Sequence, residues 1–215
     1  MGPPDWEPRL ITDYKIRDNI VFQEKGISVK ARELDHKTPS LAYLLEEDSS
    51  INIGEFPYRP GPWIRELKEA KEQADDQRLI EVEAGKTLPA VELYALLFVK
   101  QGWKLGYAMD HLPCKKNHAT MASLFEGVDE LIIEAFFRDC DRNYALRHYH
   151  STAYESGNFA RKAKAKRLTI AHHSRRYFSD LEDLREEGYA AFYGKTPKYK
   201  NQPVARYEGK VEEEF

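Results

Sequence analysis

The chain has 215 residues, of which 41% are hydrophobic and 32% charged, a size and balance that fit one large domain, or one domain with a tail, rather than a repeat array. The charge-free run in its most apolar region, Leu93 to Val99, is far short of the roughly 20 residues that a membrane-spanning helix needs. Lys plus Arg number 33 against 36 acidic residues, for a formal net charge of -3, so no global basic field draws in nucleic acid and any such binding has to be local.

The N-terminal stretch carries Asp5, Glu7, Arg9, Asp13 and Lys15 where a secretory leader would be apolar, so a cytoplasmic location is expected. Residues 19–34 contain two β-prone stretches, NIVFQEK and GISVKARELD, which meet at Lys25-Gly26 and read as a hairpin. LAYLLEE follows Pro39 as a third strand. From Trp63 to Asp76 the apolar residues Ile64, Leu67, Ala70 and Ala74 recur at helical spacing. Thr87 to Lys100 reads as a second helix, although the run LYALLFV has the length of a buried strand. Strands and helices then alternate: strand 104–109, helix 115–125, strand 130–133, helix 152–164, strand 167–171 and helix 179–187. This rhythm predicts a layered α/β sheet. Thr152 with Glu155 and Ser179 with Glu182 have capping-box spacing, and Gly188 is placed to end the last helix. Residues 1–194 are expected to form one continuous domain and 195–215 a poorly ordered polar tail. Cys114 and Cys140 form no CxxC pair, so neither a disulfide framework nor a thiolate metal site is expected.

Three residues able to hold a metal or a proton fall at equivalent places: Asp110 after GYAM, Glu134 after LII and His172 after LTIA. Each follows a predicted strand, and in open α/β sheets ligands bind in the crevice beyond the carboxyl ends of the strands. Carboxylates and an imidazole gathered there suit zinc or a similar divalent ion. Taken singly, Asp110 serves equally as a helix-start cap, Glu134 as a solvated loop residue and His172 as a hydrogen-bonded core histidine. The run Arg161, Lys162, Lys164, Lys166, Arg167 is either an RNA-backbone contact or a solvated helix face. His111 and His118 are read as surface or cap residues rather than extra ligands, and Tyr189, Phe192 and Tyr193 as packing of the last helix.

The segments GYAMDHLPC, ELIIEAFF, HYHST and LTIAHHSRRY, in that order and preceded by LDHKTPSLAY and RPGPWIRELK, resemble the C-terminal half of ribonuclease Z. That is the tRNA 3′-processing endonuclease branch of the metallo-β-lactamase superfamily. The resemblance covers roughly residues 20–178 and implies part of an αββα sandwich. It implies two metal sites in the complete fold, with His36 completing the first, Asp110 bridging both and His172 in the second. Glu134 and His150 would be the pair in which a carboxylate orients an imidazole that protonates the leaving oxygen. Ser174 and Arg176 would lie near the substrate phosphate.

The sequence also departs from the family. Its Gly-Asp-Thr is Met109-Asp110-His111 here, its His-Glu-Ala-Thr is Ile133-Glu134-Ala135-Phe136, and the Gly before its Tyr is Ala42. The HxHxDH motif that supplies most of the family's metal ligands is absent from this sequence; its one HxH, His148-Tyr149-His150, corresponds to the later HST motif. Metal binding by the chain alone is therefore expected to be weak, and an HxHxDH-containing N-terminal half, or self-association, to be needed. The resulting expectation is a metal-dependent phosphodiesterase acting on RNA or another phosphodiester. The competing expectation is a noncatalytic interaction module that keeps the fold without turnover.

Overall fold

Lys25 and Gly26 both take left-handed backbone angles, with φ of 52° and 78°, as a two-residue type I′ hairpin turn requires. They join β1 (Ile20–Glu24) to β2 (Ile27–Leu34) in an antiparallel pair with Glu24 opposite Ile27. The structure, a computed structural model, describes residues 18–195. All but the first residue of the expected tail lies outside that range. The described residues fall into two units, one drawn from Met1–Glu46 and Lys104–Phe215 and the other Glu47–Trp103.

The first unit holds a six-stranded sheet in the order β1-β2-β3-β8-β9-β10, with β3 spanning Ser40–Glu47, β8 Lys104–Ala108, β9 Glu130–Glu134 and β10 Leu168–Ala171. β3 and β8 pair antiparallel, whereas β8, β9 and β10 run parallel, so their carboxyl ends share one edge. Helices connect the parallel strands: α3 (Lys115–Phe125) between β8 and β9, α4 (Arg142–Arg147) and α5 (Ala153–Lys162) between β9 and β10, then α6 (Leu181–Phe192). The α/β class read from the alternation in this half is observed, with element ends within two residues of those expected except that α6 runs on to Phe192, and α4 is an additional helix. Leu44, Ala108, Phe125, Leu131, Ile133 and Ile170 belong to one buried core. Strand side chains alternate between faces, and the other face carries Tyr43, Leu45, Leu105, Tyr107 and Ile132. Leu41 remains 45% exposed and Tyr107 39%. Among the described residues of this unit there is one α layer and one β layer, half of the αββα order that the resemblance implies.

The second unit contains β4 (Ser50–Ile53), α1 (Trp63–Glu72), β5 (Leu79–Glu83), β6 (Lys86–Pro89), α2 (Ala90–Leu93) and β7 (Leu97–Lys100), around a small core that includes Trp63, Leu67 and Ile80. Here the helix expected from Thr87 to Lys100 is broken. Pro89 is extended, with φ -61° and ψ 141°, and only the short helix Ala90–Leu93 and a 3-10 turn at Tyr94–Leu96 follow it. Leu97–Lys100 instead pairs antiparallel with Ser50–Ile53. The apolar run fits helix or strand equally well, and the distant partner strand decides it.

Local signals at the helix ends had mixed outcomes. The Thr152–Glu155 capping box is formed: Glu155 N donates to Thr152 Oγ1 at 3.2 Å, and Thr152 N donates to Glu155 Oε2 at 3.1 Å. At α6 the N-cap is Asp180, without a side-chain cap, and Ser179 Oγ donates to Asp180 Oδ2. Gly188 lies inside α6. The helix is ended by Gly194 at φ 69°, whose N–H donates to Ala191 O at 3.1 Å. Gly188 is small for a packing reason, because a Cβ built on it would lie 3.0 Å from Ile170 Cδ1 and 3.3 Å from Ala153 O, and the constraint is tighter at Gly157 of α5, where a Cβ would lie 2.0 Å from Gly188 O. Gly157→Ala should therefore force α5 and α6 apart and cost about 1–3 kcal/mol, whereas Gly194→Ala at the helix end should cost about 1 kcal/mol. Urea unfolding of both variants checks that ranking, and equal losses would refute the close crossing.

Candidate metal centre

Parallel register brings the site together. Ala108, Ile133 and Ile170 form one row across β8, β9 and β10, and Glu134 pairs with Ala171 in the next row. Asp110 and His172 lie just past their strand ends, both in left-handed backbone at φ 50° and 53°. His150 comes from the loop between α4 and α5, directly after Tyr149 at φ 62°. Asp110, Glu134, His150 and His172 each offer a ligand-type atom, and these atoms lie within 4.8 Å of one another. Two carboxylates and two imidazoles at that separation can hold a divalent ion.

At the centre is Glu134, whose side chain is 0% exposed. Its Oε1 accepts from the amides of Ser151 at 3.0 Å and His111 at 3.2 Å. Its Oε2 accepts from His150 Nδ1 at 2.8 Å and His172 Nδ1 at 3.3 Å. Burial alone would raise its pKa, but the two imidazole donors outweigh burial and hold the carboxyl well below the usual carboxylate range. An ionised carboxylate only accepts, so it fixes both imidazoles with Nδ1 protonated and Nε2 as the remaining nitrogen. In return, the hydrogen bond to Glu134 raises the pKa of His172, against the opposing effect of burial. Asp110 Oδ1 lies 3.4 Å from His172 Nδ1 and 3.8 Å from His150 Nδ1.

Of the residues singled out from sequence, four converge. His36 stands beside them rather than among them: its ring centroid is 5.0 Å from that of His150, and its Nδ1 lies 2.7 Å from Tyr149 O. Ser174 caps the turn Arg175–Tyr177, and its N–H donates to Phe136 O at 3.1 Å. Arg176 is drawn to other partners, with its guanidinium 4.3 Å from the Tyr144 ring centroid and 4.0 Å from Asp141 Oδ2. The basic run loses most of its free charge, because Lys164, Lys166 and Arg167 pair with Glu126, Asp129 and Glu130.

Three further contributors are visible only in the structure. His111 is 1% exposed, with Nδ1 3.4 Å from Glu134 Oε1, and burial lowers its pKa; it is not the surface or cap residue expected. Phe136 stacks on His150 at 4.0 Å and 9°, and meets His172 edge-on at 4.8 Å. Asn117, buried in α3, donates to the carbonyls of Asp35 and Leu112 and accepts from Asp35 N, tying the His36 loop to the Asp110 loop. An asparagine inside a predicted helix, a weak helix former, was the one available hint.

Fold and site together define a layered α/β protein with a carboxylate–imidazole cluster at the carboxyl ends of its parallel strands. Among curated proteins, ribonuclease Z of Deinococcus radiodurans is 34% identical over 183 residues, covering 82% of this chain and 53% of that protein. Ribonuclease Z of Parabacteroides distasonis is 30% identical over 196 residues, covering 84% and 59%. Ribonuclease Z of Metallosphaera sedula is 32% identical over 170 residues, covering 77% and 53%. The chain is thus homologous to ribonuclease Z over about four fifths of its own length, and it spans about half the length of the curated relatives it matches. No family model matches. Similar solved structures include the short form of human tRNase Z, with TM-score 0.43 and 21% identity over 74% of this chain and 40% of that one. Another is the metallo-β-lactamase fold protein YhfI of Bacillus subtilis, with TM-score 0.48 and 14% identity over 86% and 51%. Among the described residues no helix is long and apolar enough to cross a membrane.

The tie between His172 and Glu134 can be measured directly. His172 holds its proton more tightly folded than unfolded, so its pairing contributes fully below its ordinary value of about 6.5 and is lost as pH rises through the folded value. Glu134→Gln should bring the His172 titration, followed by imidazole NMR in metal-free protein, down toward about 6.5. An unmoved titration would mean that Glu134 does not hold this ring.

Proposed function

We propose that the chain contributes the C-terminal side of a metal-dependent phosphodiesterase of ribonuclease Z type, acting in the cytoplasm on precursor tRNA 3′ ends or a related phosphodiester. The observation that carries this reading is the convergence of Asp110, Glu134, His150 and His172 from three parallel strand ends and one loop. The ribonuclease Z homology supports it. In this reading His36, Asp110 and His172 are metal ligands, and zinc is the proposed ion. A bound divalent ion supplies positive charge at the phosphoryl oxygens and makes water a stronger nucleophile near neutral pH. Glu134 holds the His150 ring so that its imidazolium can deliver a proton to the departing 3′ oxygen. Ser174 and Arg176 are the proposed phosphate-side residues, and Arg176 would have to leave Tyr144 to serve.

The remaining ligands are proposed to come from an HxHxDH segment on another polypeptide or on a longer form of this one. The apolar sheet face around Tyr43, Tyr107 and Leu41 supports association with a further layer. That same exposed face, with His111 and Phe136 standing where the family has threonines, favours the second reading, a noncatalytic interaction module.

Mixing this chain with the N-terminal half of a ribonuclease Z relative, and assaying 3′-extended precursor tRNA and a small chromogenic phosphodiester, separates the two. Divalent-metal-dependent hydrolysis is expected, abolished by Asp110→Ala and slowed about 10²–10⁴-fold by His150→Ala. Complex formation without hydrolysis of either substrate would leave the interaction module standing and remove the catalytic reading.

A further inference from the structure

We infer that this chain, with no added partner, binds one divalent metal ion through Nδ1 of His150, Nδ1 of His172, Oδ1 of Asp110 and Oε2 of Glu134. The inference rests on the metal dependence proposed above but gives two residues a different task. In the chain alone, His150 and Glu134 are ligands rather than an acid and its positioning carboxylate.

The geometry supports it. A tetrahedral ion with bonds of about 2.0–2.1 Å has ligand-to-ligand edges of roughly 3.3–3.4 Å. Four of the edges here are 2.8 Å for His150 to Glu134, 3.3 Å for His172 to Glu134, 3.4 Å for His172 to Asp110 and 3.8 Å for His150 to Asp110. These four bracket that length, and ligand-type atoms of the four residues lie within 4.8 Å of one another. Glu134 is already arranged for such a task. Two backbone amides occupy its Oε1, leaving Oε2 turned toward both imidazoles. Phe136 fixes the ring plane of His150 and abuts His172, and ligands held in advance lose less freedom on binding.

Charge and proton balance are also met. Two carboxylates neutralise a dication, so the filled site carries no net charge beside a buried wall. On binding, each ring ends neutral with its one proton on Nε2: a neutral imidazole moves its Nδ1 proton to Nε2 through solvent, an imidazolium releases its Nδ1 proton to solvent, and each N–H···O bond gives way to a bond to the ion. The two amide bonds to Oε1 are untouched. Two imidazole nitrogens with two carboxylate oxygens suit zinc among common divalent ions. Histidines arriving from an HxHxDH segment would then free His150 for proton transfer.

Zinc added to the metal-free chain in competition with a chromophoric chelator should give one equivalent bound, and cobalt(II) should give the visible bands of four-coordinate geometry. His150→Ala and Glu134→Gln should each weaken zinc binding about tenfold or more. Imidazole nitrogen NMR of the zinc-loaded wild type, which needs no variant to fold, should place the metal on Nδ1 of both histidines. No zinc uptake, full affinity in both variants, or metal on Nε2 with Nδ1 still protonated would overturn the inference. Hydrolysis after complementation would survive that failure, and one-equivalent zinc binding by the chain alone would survive a failure of complementation.

Discussion

The structure of the site depends on keeping one carboxylate charged where water cannot reach it. A buried carboxylate costs several kcal/mol unless donors replace its hydration, and Glu134 receives four: two amides and two imidazoles. Those donors come from three separate loops, following β8, preceding α5 and following β10. Ionisation of Glu134 is therefore a condition on the whole carboxyl edge of the sheet. If any of the three loops moves, a donor is lost and the charge is left uncompensated.

The loops are held against their own backbone preferences. Asp110, Tyr149 and His172 all sit at positive φ, a strained choice for residues with a Cβ, of order 1 kcal/mol or more each. Hydrogen bonds offset it. Ser40 Oγ donates to Asp110 O at 2.6 Å, and Ser156 Oγ donates to Glu134 O at 2.6 Å. Asn117 pins the loop of His36 to that of Leu112, and the capping box at Thr152 fixes the start of α5 two residues after His150. Strain gathered at one edge and balanced by side-chain bonds is how a fold keeps polar groups aimed at one another instead of at solvent.

How legible this was in the sequence depends on how far apart the deciding residues lie. The Lys25-Gly26 turn, the helix 115–125 and the Thr152–Glu155 cap are local, so residue type and spacing sufficed. Asp110, Glu134 and His172 were also within reach, since strand alternation places them at strand ends and parallel order gathers strand ends on one edge. The strand-end rule says nothing of His150, which comes from a loop between helices and was reached only through the family resemblance. Leu97–Lys100 became a strand because of a partner some 50 residues earlier, and Gly157 is a glycine because the backbone of Gly188 crosses it. His111 was misread because nothing in its neighbours in sequence signals a buried carboxylate 23 residues later.

Alternation also couples the site to the apolar face of the sheet. Ile132 and Glu134 share one parity along β9, as Leu105 and Tyr107 do along β8, and they lie on the face opposite the core-facing residues Leu131, Ile133, Gly106 and Ala108. The cluster thus stands at the edge of the face that carries Tyr43 and Tyr107. A second layer seated on those aromatic residues would reach the carboxyl edge as a consequence of its seating. In the proposed reading, covering the apolar face and adding histidines to the site are one binding event. Apolar burial supplies most of the affinity, at roughly 25 cal/mol per Å², and the metal ligands supply the register.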